Sequence, residues 1–572
     1  MMTKITQNPF IRNYLPSILI IIVVAIFYFV CTHFSYNFFY QDDYHLLRFV
    51  TVIKDDSVSL QEKFQALWGL HNEHRIIFPR LITLLDYYLQ GHIDWAVLNV
   101  ISALYYLGIF YFFYKIIHQF NLNNWYVLPV VLLIFQPSAY ENYYWTISIL
   151  QQVGNLFWAF FLFYSLVYFK PSKFWISLLL VFILTFTHGN GLFAFGVGGI
   201  IIFIQKRYKD LAIWGGFMVI IAVLYFYGYY TAQNSNIAES LSNLTRLIGC
   251  FGGFWGVFLK GIFHSSNLAI LGGLGIFILL FIINFRTFLS YLFPTIDLKT
   301  TKYFPSKNLF IFACFLYLAI TATLVALSRS WSSMEAVFQN RYLHNSVIAV
   351  VMLYITLLLY QSQAIRKIVL SLGLLFGLFY YVFSWYTTYE FLVIQQQNQE
   401  ADAVNYNLNG VSVVNEKSFN QNIKEVLSKS FTDGISIFPV SDLTNMIKNI
   451  DKIESKNVQD YPISINKDSV LSFNISNFHY YSVYQINNLN FPVSNQLYLI
   501  LKSPKNTFVF PTNHRKNKKI DFLKSGQFFT NGFFSSILTD AMPSGEYTLG
   551  ILQKDNDNSF HFYPTTTKIN TK

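Results

Sequence analysis

Charge is what this sequence has least of: Asp, Glu, Lys and Arg make up 12% of 572 residues, about half the share of an ordinary soluble chain. That excludes a water-facing surface over most of its length. Cysteine is nearly missing as well. Cys31, Cys250 and Cys314 all lie in apolar segments, so neither a disulfide framework nor a cysteine metal site is on offer. Phosphate-cradling glycine motifs and internal repeats are absent. The first apolar run, 15–34, is followed by no small-residue cleavage site, and it reads as a retained signal anchor. A formal net charge of +11 invites nucleic acid as a partner. The placement of the cations excludes it: they sit mainly in short tracts at the ends of apolar runs, where headgroups and topology signals need them. The tract Arg515 to Lys519 is an exception.

What the chain has is hydrophobic length. Apolar residues reach 54% and aromatics 19%, and runs of 18 or more apolar residues make a lipid bilayer the solvent. A helix needs about 20 residues to cross the hydrocarbon core. Spans are expected near 14–36, 95–114, 124–138, 147–168, 173–188, 191–205, 211–230, 266–285, 308–327, 343–361 and 367–389. The stretch between Arg75 and Gln90, interrupted by Arg80 and Asp86, is expected to lie flat at the interface. So is 247–263, which holds Lys260. The expected fold is therefore mainly α, a polytopic transmembrane bundle over 1–390. A helical linker region follows over 391–460, and a small antiparallel β-sandwich over 461–572. Short alternating runs such as Gln496–Leu501, Thr507–Phe510 and Glu546–Leu552 carry the sandwich expectation.

Basic residues fall in alternate loops: Lys4 and Arg12, Lys115, Lys170 and Lys173, Lys206 to Lys209, Arg286 to Lys307, then Arg366 and Lys367. The positive-inside rule puts these loops and the N-terminus in the cytoplasm. An odd number of spans then puts the C-terminal domain outside, in a multi-pass protein of the cytoplasmic (inner) membrane.

The opposite loops hold the chemistry. They carry Asp42-Asp43, then Glu73, His74 and Arg75, then Glu141, His188, Arg246, Arg329 and Arg341. Ionisable groups at membrane depth are costly enough to be functional by default. Each has a duller role: a cap for the acidic pair, a self-satisfied loop network for His71 to Arg75, an interfacial belt for Trp145 and its tyrosines, snorkelling for Arg329 and Arg341.

An acidic pair just beyond the first apolar helix, in a long outward loop followed by about ten more helices and a C-terminal domain, resembles the GT-C superfamily of membrane glycosyltransferases. That resemblance implies an inverting transfer of sugar from a polyprenyl-phosphate donor to a cell-surface glycan, lipid or protein acceptor. It implies Asp42 or Asp43 as the general base, and a divalent metal (Mg2+ or Mn2+) in some members, for which Glu73, His74 and Glu141 could supply ligands. Arginine suits the departing lipid phosphate, because its planar fork binds phosphate oxygens in pairs. Arg341 and Arg329 are the leading clamps, with Arg75 and Arg246 behind them. No second acidic pair or sequon-binding motif accompanies the first. The competing readings are a polysaccharide polymerase or ligase, a lipid-linked glycan flippase, and a glycan-binding sensor.

Overall fold

The computed structural model describes residues 10, 14–230, 236–292, 308–359, 362–413, 417–453, 464–468, 483–488, 491–492, 496–555 and 559–571. The chain divides into two compact units, and not by a single cut. The first comprises Met1–His33, Val52–Leu85 and Leu98–Thr388; the second comprises Phe34–Thr51, Asp86–Val97 and Tyr389–Lys572.

In chain order the helices are α1 (Leu15–Phe34), α2 (Tyr44–Lys54), α3 (Leu60–Trp68), α4 (Ile77–Gln90), α5 (Trp95–Gln119), α6 (Leu128–Ile134) and α7 (Gly154–Tyr168). There follow α8 (Phe174–Thr185), α9 (Gly191–Ile204), α10 (Tyr208–Phe226), α11 (Leu244–Phe263), α12 (Ser266–Leu292), α13 (Leu309–Arg329), α14 (Leu343–Leu358) and α15 (Gln363–Asn409). Among the described residues, nine helices are long and apolar enough to cross a membrane, the pattern of a multi-pass membrane protein. Eight of them match expected spans. The other three expected spans fall on the shorter apolar helices Asn124–Ala139, Pro171–Thr185 and Gly191–Ile204. In α6 all seven residues are buried, so protein rather than lipid surrounds it, and the length rule for a lipid-facing helix does not apply.

The ninth, α11, covers the stretch expected at the interface. Its two ends are held by the same connection, between α13 and α14: Arg246 Nη1 donates to the Trp331 carbonyl at 3.0 Å, and Lys260 and Ser266 both donate to Glu335. Its glycines serve packing. A Cβ on Gly256 would meet the Ala269 carbonyl oxygen at 1.9 Å, and one on Gly273 would meet that of Gly252 at 2.1 Å. Gly252/Gly256 and Ala269/Gly273 are thus small-xxx-small pairs that let α11 and α12 touch backbone to backbone.

Helix α4 is inside out. Leu81, Leu85, Tyr88 and Leu89 are exposed along one face, while Arg80, Thr83 and Asp86 are buried. Such a face suits lipid.

In the second unit, two four-stranded antiparallel sheets share one apolar core. One has the order β10 (Phe560–Thr571), β9 (Gly545–Lys554), β5 (Gln496–Lys502), β6 (Thr507–Pro511). The other runs β3 (Ser464–Asp468), β4 (Val483–Asn488), β8 (Phe529–Leu538), β7 (Asn513–Lys516). Leu497, Leu499 and Leu501 face the shared core, while Tyr498 and Ile500 pack on Ala401 and Val404 of α15 and on Leu443 and Ile447 of α17 (Asp442–Lys448), which follows α16 (Lys417–Thr432). Covered on both faces, β5 reads as a continuous apolar run instead of an alternation. First-loop segments belong to this unit: Gln399 Nε2 donates to the Phe38 carbonyl at 3.1 Å, and the Ile93 N–H to that of Ile435 at 2.8 Å.

Candidate functional site

In the first unit the connection that holds Glu141 and the connection between α13 and α14 are tied together. The Arg341 N–H donates to Glu141 Oε2 at 3.2 Å, and the Glu141 N–H donates to Asn340 Oδ1 at 3.0 Å. Asn340 Nδ2 donates to the Ser138 carbonyl at 2.5 Å, and Asn142 Nδ2 to that of Arg341 at 3.2 Å. Burial raises the Glu141 carboxyl above its ordinary range, with the Arg341 cation working against the shift. Behind this knot, Ile149–Val153 forms a π-turn carrying Gln151, which is buried with its Nε2 lacking a partner among the described residues. Single π-turns in α-helices are frequent at functional sites.

The knot holds two arginines on one phenol. Arg341 lies 5.6 Å from the ring centre of Trp145 and 5.5 Å from that of Tyr342, and both Arg329 and Arg341 reach the Tyr342 hydroxyl. Trp145 is therefore a cation–π partner here. Each arginine keeps a buried Nε–H that meets no acceptor among the described residues.

Arg329 also lies within electrostatic reach of Glu73 and His74. The hairpin of β1 (Leu70–His71) and β2 (His74–Arg75), turned through Asn72 at φ 51°, sets the His74 ring against that of His188, with centroids 4.0 Å apart. Only glycine fits at 189, since a Cβ there would lie 2.9 Å from His74 Nδ1 and 2.8 Å from the Tyr225 hydroxyl. The Asn190 N–H donates to His188 Nδ1 at 3.2 Å, which leaves the proton of the neutral ring on Nε2. Burial, aided by the Arg329 cation, pushes His74 down to about 4. Burial and His74 take His188 well below its ordinary value. Two neutral imidazoles thus sit together, His74 within reach of the Arg329 cation.

Glu73, His74, Glu141, His188, Arg329 and Arg341 are linked in this way. Arg75 and Arg246 are not. Arg75 Nε donates to the Tyr225 carbonyl at 2.6 Å, and its two Nη groups donate to the carbonyls of Trp68 and Tyr227. Arg80 Nη1 donates to the carbonyls of Leu67 and Gly69 at 2.7 and 2.6 Å. Both arginines thereby satisfy orphan carbonyls at the C-terminal ends of α3 and α10. Arg246 is bound to the Trp331 carbonyl and lies 3.7 Å from Glu239. Asn340, Tyr342 and Gly189 stand in sequence inside the charged loop motifs 340–344 and 187–191, but nothing in the pattern gives them a role or marks the Tyr342 hydroxyl as the meeting point.

In the second unit, Asp42 and Asp43 form the 3₁₀ turn Gln41–Asp43 at the start of α2, after Gln41 at φ 48°. A non-glycine residue in that left-handed region is strained backbone of the kind that gathers at functional sites. The two acids differ. Asp43 is buried and its Oδ2 accepts the Tyr40 N–H at 3.1 Å, whereas Asp42 is half-buried. Among the described residues no group of three or more His, Cys, Asp or Glu is placed to hold a metal ion, Glu73, His74 and Glu141 included.

Comparison with known proteins supplies no relative: no family model matches the chain, nor does any curated protein or solved structure.

Proposed function

We propose that this chain is a membrane glycosyltransferase of the GT-C kind, moving a sugar from a polyprenyl-phosphate donor to a glycan, lipid or protein acceptor on the extracytoplasmic side. One observation carries it: Arg329 and Arg341 converge on Tyr342, each with a buried donor left over. Buried donors without acceptors are costly, and a polyanion such as a departing lipid phosphate would satisfy them. Fixed cations stabilise charge that develops on the leaving group, and the neutral His74/His188 pair adds no competing proton source. Asp42 is assigned as the general base because it is the more exposed of the two acids, whereas Asp43 is buried and its Oδ2 accepts the Tyr40 N–H. The tethering of both ends of α11 to one connection supports an interfacial α11 and an odd number of crossings. With the basic loops inside, the C-terminal unit is then outside.

The test is transfer from radiolabelled polyprenyl-phosphate sugar by purified protein. Asp42→Asn should cost about 100- to 10,000-fold in rate, and Asp43→Asn mainly about 1 kcal/mol of stability. Ordinary turnover in folded Asp42→Asn protein would remove the mechanism.

A further inference from the structure

The tract Arg515 to Lys519 is a dense cluster of cations that no apolar run accounts for. In the structure it leads from β7 into the short helix α18 (Lys519–Ser525). Two of its three apolar residues face outward: Ile520 is 65% exposed and Leu523 80%. Lys518, Lys519 and Lys524 are exposed around them, with Asp521 the single acid of the helix. Exposed large apolar side chains ringed by lysine are out of place against water, and they match a surface that is apolar beneath and anionic on top.

Where this loop is held says which surface that is. Phe522 turns back onto Phe528, with ring centroids 5.7 Å apart, and Phe528 packs on Tyr389 of α15 at 5.0 Å. Lys516 Nζ lies 3.6 Å from Glu390 Oε1 and 5.2 Å from the Phe528 ring centre. Tyr389 and Glu390 mark the place where α15 leaves its apolar stretch: from Ile368 to Tyr389 there is no charged side chain. At about 1.5 Å per residue that stretch matches the hydrocarbon core of about 30 Å, and tyrosine is a typical residue of the boundary. The loop is thus fastened to α15 at the level where hydrocarbon gives way to headgroups.

We propose that α18 is a membrane-surface anchor, with Ile520 and Leu523 inserted among the acyl chains and Lys518, Lys519 and Lys524 on anionic lipid headgroups. This does not depend on the glycosyltransferase reading. Its consequence is a C-terminal unit held against the bilayer at a second point besides α15.

The experiment uses the full chain in nanodiscs, with an environment-sensitive fluorophore on Leu523→Cys, on Ile520→Cys, and on Lys505→Cys in the exposed turn between β5 and β6. Cys31, Cys250 and Cys314 are buried, so the introduced thiols label selectively. In mixed phosphatidylglycerol and phosphatidylcholine, lipids carrying spin labels on their acyl chains should quench the 523 and 520 probes several-fold more than the 505 probe. Quenching should fall in phosphatidylcholine alone, and in the K518Q/K519Q/K524Q variant. Equal quenching at 523, 520 and 505 overturns insertion. Quenching indifferent to both anionic lipid and the three lysines overturns headgroup recognition. Probes shielded from aqueous iodide but untouched by lipid spin labels would mean that protein covers the helix, and would overturn the proposal as well.

Discussion

Two pairs of arginines in the first unit show how little the residue type alone decides. Arg75 and Arg80 lie in and just after the first-loop hairpin, and their guanidiniums are turned inward onto backbone carbonyls at helix ends. Arg329 and Arg341 flank the connection between α13 and α14, and converge on a phenol while keeping a buried N–H without an acceptor. The first pair completes hydrogen bonding that the fold itself requires. A buried Nε–H without an acceptor among the described residues occurs in both pairs, at Arg80 in the first and at Arg329 and Arg341 in the second, so the contrast lies in what the guanidiniums reach: backbone carbonyls in the first pair, a side-chain hydroxyl in the second. Removing members of the two pairs should therefore damage different things, stability in one case and turnover in the other.

The largest effect is expected from the second pair. Arg329→Ala or Arg341→Ala should lower turnover with a lipid-phosphate donor by about 100- to 1,000-fold, the range for losing one fixed donor to developing charge. The thermal midpoint in detergent should move little. Lysine at either position should restore only part of the rate, since it keeps the charge but loses the paired geometry. A double alanine variant with full turnover would erase the distinction drawn between the pairs.

Next in size is Arg75→Met. It leaves the carbonyls of Trp68, Tyr225 and Tyr227 without their donor, at about 1–3 kcal/mol for each group that stays buried. The unfolding midpoint should fall sharply, while the fraction that remains folded turns over at close to the normal rate. Lysine should not rescue, because one ammonium cannot reach three divergent carbonyls. Arg80→Met should follow the same pattern more mildly, with two carbonyls at stake. A normal melting point for Arg75→Met would show that water replaces the guanidinium.

Much of the helical architecture could be read from hydropathy, since lipid-facing helices such as α1, α12 and α15 announce themselves by uncharged length. The helices that deviate are those that lipid does not surround, α6 being wholly buried, and α11, whose glycines serve contact with α12. In the sandwich the strands were legible from Gln496–Leu501, Thr507–Phe510 and Glu546–Leu552, yet the recruitment of 34–51 and 86–97 to the same unit was not. It depends on single bonds such as Gln399 to Phe38, which leave no periodic trace. The site was legible as a list of residues and not as a grouping. Arg75 and Arg341 look alike in sequence, because what separates them is the direction of a guanidinium. His74 and His188 meet only because Gly189 lets the rings approach, and nothing local to either histidine signals the other.

The smallest expected effect sharpens the comparison through pH. His74 is held neutral, pushed down to about 4 from an ordinary value near 6.5 by burial and then by the Arg329 cation. Its folded value lies below its unfolded one, so the stability it contributes is fully present above about pH 6.5. That contribution declines as pH falls through 6.5 toward 4, where the unfolded chain binds a proton that the folded chain refuses. Below about 4 both states are protonated and the decline stops. His188 adds to the same slope, since burial and the neighbouring His74 lower its value as well. Each histidine should change the ratio of folded to unfolded protein by up to about tenfold per pH unit within its window. The unfolding midpoint in detergent, measured from pH 4 to 8, should therefore slope downward toward acid in the parent protein and less steeply in His74→Gln. Arg329→Met should narrow the window, because removing the neighbouring cation lets the His74 value rise toward 6.5. Arg75→Met, next in sequence but bonded elsewhere, should lower the midpoint at every pH without changing the slope. If Arg75→Met flattens the slope and Arg329→Met does not, the roles assigned to the two arginine pairs are reversed.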